Sequence, residues 1–193
     1  MDVNGPRLPS YATCSPEEAL KYASDTQDGR WSLLSYEVFW RDRYNFLKNN
    51  GYQLRPRFSP EWIPSWTGTN YDPFFCEDSI ISMIYNVIDA TRTSDGSLIS
   101  IKSVSRTTNE IAISRMLSSK DLTQDSPSHC VPILDVLDDP NDSTKAMIIM
   151  PYLRPFDDPE LRTIGEVVDF ISQTLEVIPC FDDSVDELKV SLV

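Results

Sequence analysis

Two β-rich runs, residues 85–91 and 98–104, flank the turn-forming stretch Thr93-Ser94-Asp95-Gly96, and no other feature constrains the fold of this chain so tightly. β-Branched and aromatic residues suit a pleated, half-buried strand, and a short loop closed by glycine joins two such strands antiparallel. The pair is therefore a hairpin. A third run, 80–84, stands directly before it, and two more, 131–137 and 146–153, follow it. Residues 109–118 carry Ile111, Met116 and Leu117 on a helical repeat, with Thr107 or Thr108 placed to cap them. This order predicts an α+β fold: a five-stranded antiparallel sheet with one packed helix, over residues 78–153.

The flanks read differently. Tyr36, Trp40, Tyr44 and Leu47 recur at helical spacing beside Phe39 and Phe46, and Asn49-Asn50-Gly51 supplies a left-handed stop. Proline then interrupts residues 52–64 at Pro56, Pro60 and Pro64, which forbids a central strand and favours a strap laid over a neighbouring surface. An aromatic helix and a proline-rich strap thus fill 31–77. Arg41, Arg43, Arg55 and Arg57 form the one basic patch, expected to pair with the acidic remainder of the chain. Residues 1–30 are polar and read as a disordered N-terminus with a short helix near 16–22. Beyond the sheet, Ile164, Val167, Val168, Ile171 and Leu175 predict an amphipathic helix within 154–178, ahead of an acidic tail over 179–193.

A net charge of −13 argues against a nucleic-acid partner, whose phosphates need a basic footprint, and against docking on an anionic membrane surface. No apolar run has the length of a membrane span, and the first residues lack the pattern of a signal peptide. Cys14, Cys76, Cys130 and Cys180 are widely dispersed and His129 is the only histidine, so no metal-ligand spacing exists. Dispersed, unpaired cysteines suit a reducing compartment, and the expected location is the cytoplasm.

Chemistry enters at Ile99-Ser100-Ile101-Lys102, where an ammonium interrupts an apolar strand. An outward-facing surface lysine is the plain alternative. The following helix, however, opens with Glu110, a carboxylate that could pair with Lys102 beside a polyphosphate.

These residues resemble the small lobe of eukaryotic-type protein kinases. Tyr85-Asn86-Val87-Ile88-Asp89-Ala90 through Ile101-Lys102 is similar to the second and third strands of that lobe. By the resemblance Val87 lies over the adenine, Ser100 replaces the adenine-contacting alanine, Lys102 binds phosphate and Glu110 is its partner. His129-Cys130-Val131-Pro132-Ile133-Leu134-Asp135-Val136 resembles the approach to the fourth strand, and Ile148-Ile149-Met150-Pro151-Tyr152-Leu153 the fifth strand and hinge. That makes Met150 the gatekeeper, with the Pro151 carbonyl and the Leu153 N–H facing the adenine edge. The strap is similar to an extension in kinase-like proteins of mushroom-forming fungi.

The resemblance implies ATP as cofactor, but the sequence departs from the pattern. Ile80 to Tyr85, where a glycine-rich loop belongs, contains no glycine, so side chains obstruct the backbone approach that cradles phosphate. No His-Arg-Asp or Asp-Phe-Gly segment follows the hinge, so no catalytic base and no magnesium aspartate are present. The expectation is weak or absent ATP binding, no metal site, no catalytic residue and no phosphoryl transfer: a truncated member of the kinase family. Two other readings remain open: a pseudokinase-like interaction or regulatory module, and an α+β domain whose Lys102 and Glu110 are surface residues. A bare small lobe also implies a protein partner, or a missing large lobe, over an apolar patch near Leu153, Phe156 and Ile164.

Overall fold

The computed structural model describes residues 9–82, 84–118, 131–153 and 160–175. In chain order the regular elements are α1 (Pro16–Gln27), α2 (Ser35–Arg41), α3 (Tyr44–Asn49), β1 (Tyr52–Leu54), β2 (Val87–Arg92), β3 (Leu98–Ser105), α4 (Glu110–Leu117), β4 (Asp135–Asp138) and β5 (Lys145–Pro151). The fold is α+β, with a five-stranded antiparallel sheet in the order β1-β2-β3-β5-β4. The chain divides into two units, residues 1–102 with 140–142, and residues 103–139 with 143–193.

The predicted hairpin is the centre of the first unit. β2 and β3 pair in the register Val87↔Lys102, Ile88↔Ile101, Asp89↔Ser100 and Ala90↔Ile99. Its turn is held by Asp95, which accepts from the Arg92 guanidinium at 3.0 Å and from the Ser97 amide and hydroxyl at 3.0 and 2.8 Å. Gly96 takes φ +72°, a left-handed value that side chains with a Cβ avoid. Opposed residues of an antiparallel pair share a face. Ile88, Ala90, Ile99 and Ile101 accordingly make one buried face, and Leu54 joins it through its pairing with Ala90. Trp40, Leu47 and Phe58, all fully buried, complete the core of this unit.

Two expectations are corrected here. The described residues at 80–82 and 84 are in no strand; the strand beside β2 is Tyr52–Leu54, drawn from the start of the strap. As an edge strand it needs only one row of partners, and the prolines begin just after it. Two carbonyls at 80–82 accept from side chains instead: Arg55 donates to Ile80 O at 3.2 Å and Tyr36 to Ser82 O at 2.9 Å. Residues 9–30, read as disordered apart from a short helix, are ordered. Ser15 and Glu18 form a reciprocal capping box, Pro16 starts the helix, and α1 runs to Gln27. Cys14 donates its amide to Asn70 O, Asp72 donates to Ala12 O, and the Trp66 indole donates to Thr26. Those long-range bonds are invisible to local patterning.

The aromatic helix is two helices, α2 and α3, separated at Asp42 and Arg43. The strap is less extended than its prolines suggest, since Pro56–Phe58 forms a 3₁₀ turn with Pro56 at its first position.

In the second unit β4 and β5 pair with Val136 opposite Ile148 and Asp138 opposite Ala146. Val104, Ala146 and Ile148 are buried together, and Ile111 of α4, Ile133 and Val136 pack on them. β5 is apolar on both faces, Met147 and Ile149 being fully buried as well. Its ladder stops at Pro151, which has no N–H to donate. Residues 164–175 are helical, as the spacing predicts, with Thr163 and Glu166 exchanging capping bonds at 3.2 and 2.9 Å. His129, Cys130, Phe156 and the acidic tail lie outside the described residues.

Candidate functional site

The pleat of the hairpin decides which predicted residues meet. Val87, Ser100 and Lys102 occupy one face of β2 and β3, opposite to the buried Ile88, Ile99 and Ile101. All three are half-buried, with Val87 and Lys102 directly opposed across the ladder. Along β3, Ser100, Lys102 and Val104 alternate to that same face. Ala90 lies on the other face, in the core, and takes no part. Asp89 shares the open face with Ser100, and Arg55 from the strap reaches Asp89 at 3.2 Å.

In the second unit Glu110 is the first residue of α4 and is half-buried. Ile111 beside it packs against the Val104–Ala146–Ile148 cluster, and Met150 shares its face of β5 with Ala146 and Ile148. Pro151 ends the strand, and Leu153, two residues on, is exposed.

A second constellation escaped sequence reasoning. Arg57, 1% exposed, donates to both oxygens of Glu37, 0% exposed, at 2.8 and 3.0 Å. Its remaining N–H groups reach the carbonyls of Asp78 at 3.2 Å and Trp31 at 3.3 Å. Burial pushes the Glu37 carboxyl upward. The Arg57 hydrogen bonds, the Leu34 amide and the Arg57 charge outweigh it, so Glu37 ionises below the usual carboxylate range. Asp78, also buried, accepts from the Trp62 indole at 2.9 Å and from the Ser65 amide and hydroxyl at 2.8 and 2.7 Å. Every charged member is satisfied, which marks the cluster as a strut that holds the strap rather than a catalytic set.

Next to this strut opens a cleft of about 420 Å³ whose walls include Trp62, Ile63, Tyr71, Phe75, Glu77 and Asp78. Burial raises the Glu77 carboxyl, Asp78 and Asp89 add to that, and Arg55, 3.9 Å away, works against it. The signal for the cleft was in the sequence: Trp62, Trp66, Tyr71, Phe74 and Phe75 crowd a stretch with neither helical nor strand period.

Among the described residues no group of three His, Cys, Asp or Glu side chains could hold a metal ion, and Cys14 and Cys76 are free thiols. Burial raises the Cys76 thiol, so it is a poor nucleophile. No described helix is long and apolar enough to cross a membrane. No family model, curated protein or solved structure matches this chain. The class that the fold defines is an α+β protein with a five-stranded antiparallel sheet, one face of whose β2–β3 hairpin carries Val87, Ser100 and Lys102.

Proposed function

We propose that residues 78–153 are a kinase-like small lobe in which the open face of the β2–β3 hairpin corresponds to the adenine-facing surface. The observation that carries this reading is the common placement of Val87, Ser100 and Lys102 on that face. A surface-lysine reading requires no such company. By the sequence resemblance alone, Glu110, Met150, Pro151 and Leu153 match the family's helix partner, gatekeeper and hinge. The lobe is not an enzyme by itself: its sequence holds no His-Arg-Asp base and no Asp-Phe-Gly aspartate. Nucleotide affinity is weak, because the glycine-free stretch before β2 offers side chains where a phosphate cradle needs bare N–H groups. A cytoplasmic setting belongs to the same proposal.

A second reading has its own observation. Ile164, Val168 and Leu175 are 85%, 53% and 58% exposed on the helix at 164–175, and Leu153 is 59% exposed. Apolar surface of that kind favours a protein-interaction or regulatory module.

Calorimetry and amide NMR with ATP and magnesium test the nucleotide reading on the full chain. The expected result is weak or undetectable heat, with millimolar ATP moving amide resonances around Val87, Ser100 and Lys102. Shifts confined to other surfaces would remove the kinase-like reading. Micromolar affinity abolished by Lys102→Ala would instead show that the missing glycines do not matter.

A further inference from the structure

We infer that the cleft between Trp62 and Phe75 binds an alkylammonium side chain, that of a lysine (methylated or not) in a basic peptide. The inference is independent of the nucleotide reading and concerns a different face of the chain's first unit.

Three kinds of wall meet in this cleft. Trp62, Tyr71 and Phe75 present aromatic surface, Ile63 and Phe75 extend it outward with 75% and 49% exposure, and Glu77 supplies an accessible carboxylate. An aromatic face attracts a cation through its ring quadrupole, and a carboxylate beside it selects positive over neutral groups of the same size. The chain makes this contact with its own cations repeatedly: Arg57 lies 5.1 Å from the Trp62 ring, Arg43 3.5 Å from Phe39 and Arg55 5.4 Å from Phe58. Arg57 does not repel an incoming ammonium, because its charge is cancelled by Glu37 in a bidentate pair. Asp78 is not the ligand's partner, since Trp62 and Ser65 already occupy both its oxygens. Glu77 is the accessible carboxylate of the cleft, its side chain 59% exposed; it pairs with Arg55 at 3.9 Å, so the guest shares it with that arginine.

Size and charge identify the source of the ammonium. About 420 Å³ exceeds what one ammonium head needs and suits a side chain with flanking backbone. The exposed Ile63 and Phe75 continue the surface beyond the cleft, where neighbouring peptide residues would lie. A chain of net charge −13 attracts a basic segment over distance.

The test uses the full chain and Trp fluorescence, with calorimetry in parallel. Probes are a short basic peptide carrying one central trimethyl-lysine, the same peptide with unmodified lysine, the same with acetyl-lysine, and free choline. Both cationic peptides should bind saturably, and acetyl-lysine should weaken binding because it keeps length and removes charge. Phe75→Ala should cost about two- to thirty-fold, the range of a single cation–π contact. Glu77→Gln should weaken binding and flatten its salt dependence; both positions are exposed, so both variants should fold. Equal binding of the acetyl and cationic peptides, unchanged affinity in both variants, or choline binding as tightly as the peptides overturns the inference.

Discussion

Replacing Arg57 with methionine is the most informative perturbation of this fold, because the guanidinium answers for a buried carboxylate and for the backbone carbonyls of Asp78 and Trp31 at once. Methionine keeps much of the side-chain volume, so the packing loss is small. What changes is electrostatic. Glu37, 0% exposed, keeps backbone amides such as Leu34 at 2.9 Å but loses both charged bonds. The carbonyls of Asp78 and Trp31 lose their Arg57 donor. Removing one partner of a buried ion pair costs about 3–5 kcal/mol, a large share of a stability of about 5–15 kcal/mol. For a chain of this size each kcal/mol moves Tm by about 2–4 °C, so a fall of about 6–20 °C is expected in thermal unfolding followed by circular dichroism.

The pH dependence gives the reasoning a second exposure. In the native protein Glu37 ionises below its ordinary value, near 4.3 in the unfolded chain. The stability that it contributes is therefore complete above that value and is lost as pH falls through the folded one. In Arg57→Met burial is left to dominate, so the folded carboxyl ionises above its unfolded value and its charge destabilises at neutral pH. The gap between variant and wild type should be widest near pH 7 and narrow towards pH 4. The double variant Glu37→Met/Arg57→Met, which leaves no buried charge, should recover more than half of the loss. A single variant within about 1 kcal/mol of wild type at pH 7, or a gap that widens on acidification, refutes the account.

Ser15→Ala removes the reciprocal cap of α1 and should cost about 0.5–2 kcal/mol, read as faster amide exchange in the first turn of that helix. Ile101→Ala empties a fully buried place on the hairpin's core face and should cost about 2–5 kcal/mol in urea unfolding. Asp95 is held well below the usual carboxylate range by the Arg92 side chain and then by Ser97. Its contribution to the turn is present above about pH 4 and lost as pH falls below that, so an NMR titration placing its midpoint near the ordinary value of about 3.9 would contradict the turn geometry.

What was legible in the sequence was what local chemistry determines. The hairpin could be read because Gly96 and Asp95 write its turn and because alternation along residues 98–104 writes its faces. α4 and the helix at 164–175 could be read because their apolar residues repeat at helical spacing. The first strand was misplaced for a reason of the same kind. Ile80 to Ile84 looks like a strand to any local rule, whereas Tyr52–Leu54 earns its place through pairing with residues far along the chain. A stretch of three residues carries too little pattern to compete on sequence. The Glu37–Arg57 pair was hidden likewise: the partners lie 20 residues apart, and nothing local separates Arg57 from the half-buried Arg41. Of the candidate site, the co-facial set on β2 and β3 followed from period-two alternation once the hairpin was known.

The misplaced strand bears directly on function. A phosphate cradle on this sheet needs a chain segment beside β2 that turns its N–H groups towards the open face of Val87, Ser100 and Lys102. The neighbour of β2 is instead β1, which Pro56 ends almost at once, and the residues at 80–82 hand their carbonyls to Arg55 and Tyr36. Arg55 also reaches Asp89 on the open face, so the strap and that face are joined by one cation. An arginine placed there could attract an anion only by giving up Asp89, Glu77 and the Ile80 carbonyl together. In the proposed kinase-like reading, inserting glycines at 80–84 alone is therefore not expected to rebuild a nucleotide site. The obstacle lies in which segment borders the hairpin, and that was settled upstream, by Tyr52–Leu54 and the arginines that follow it.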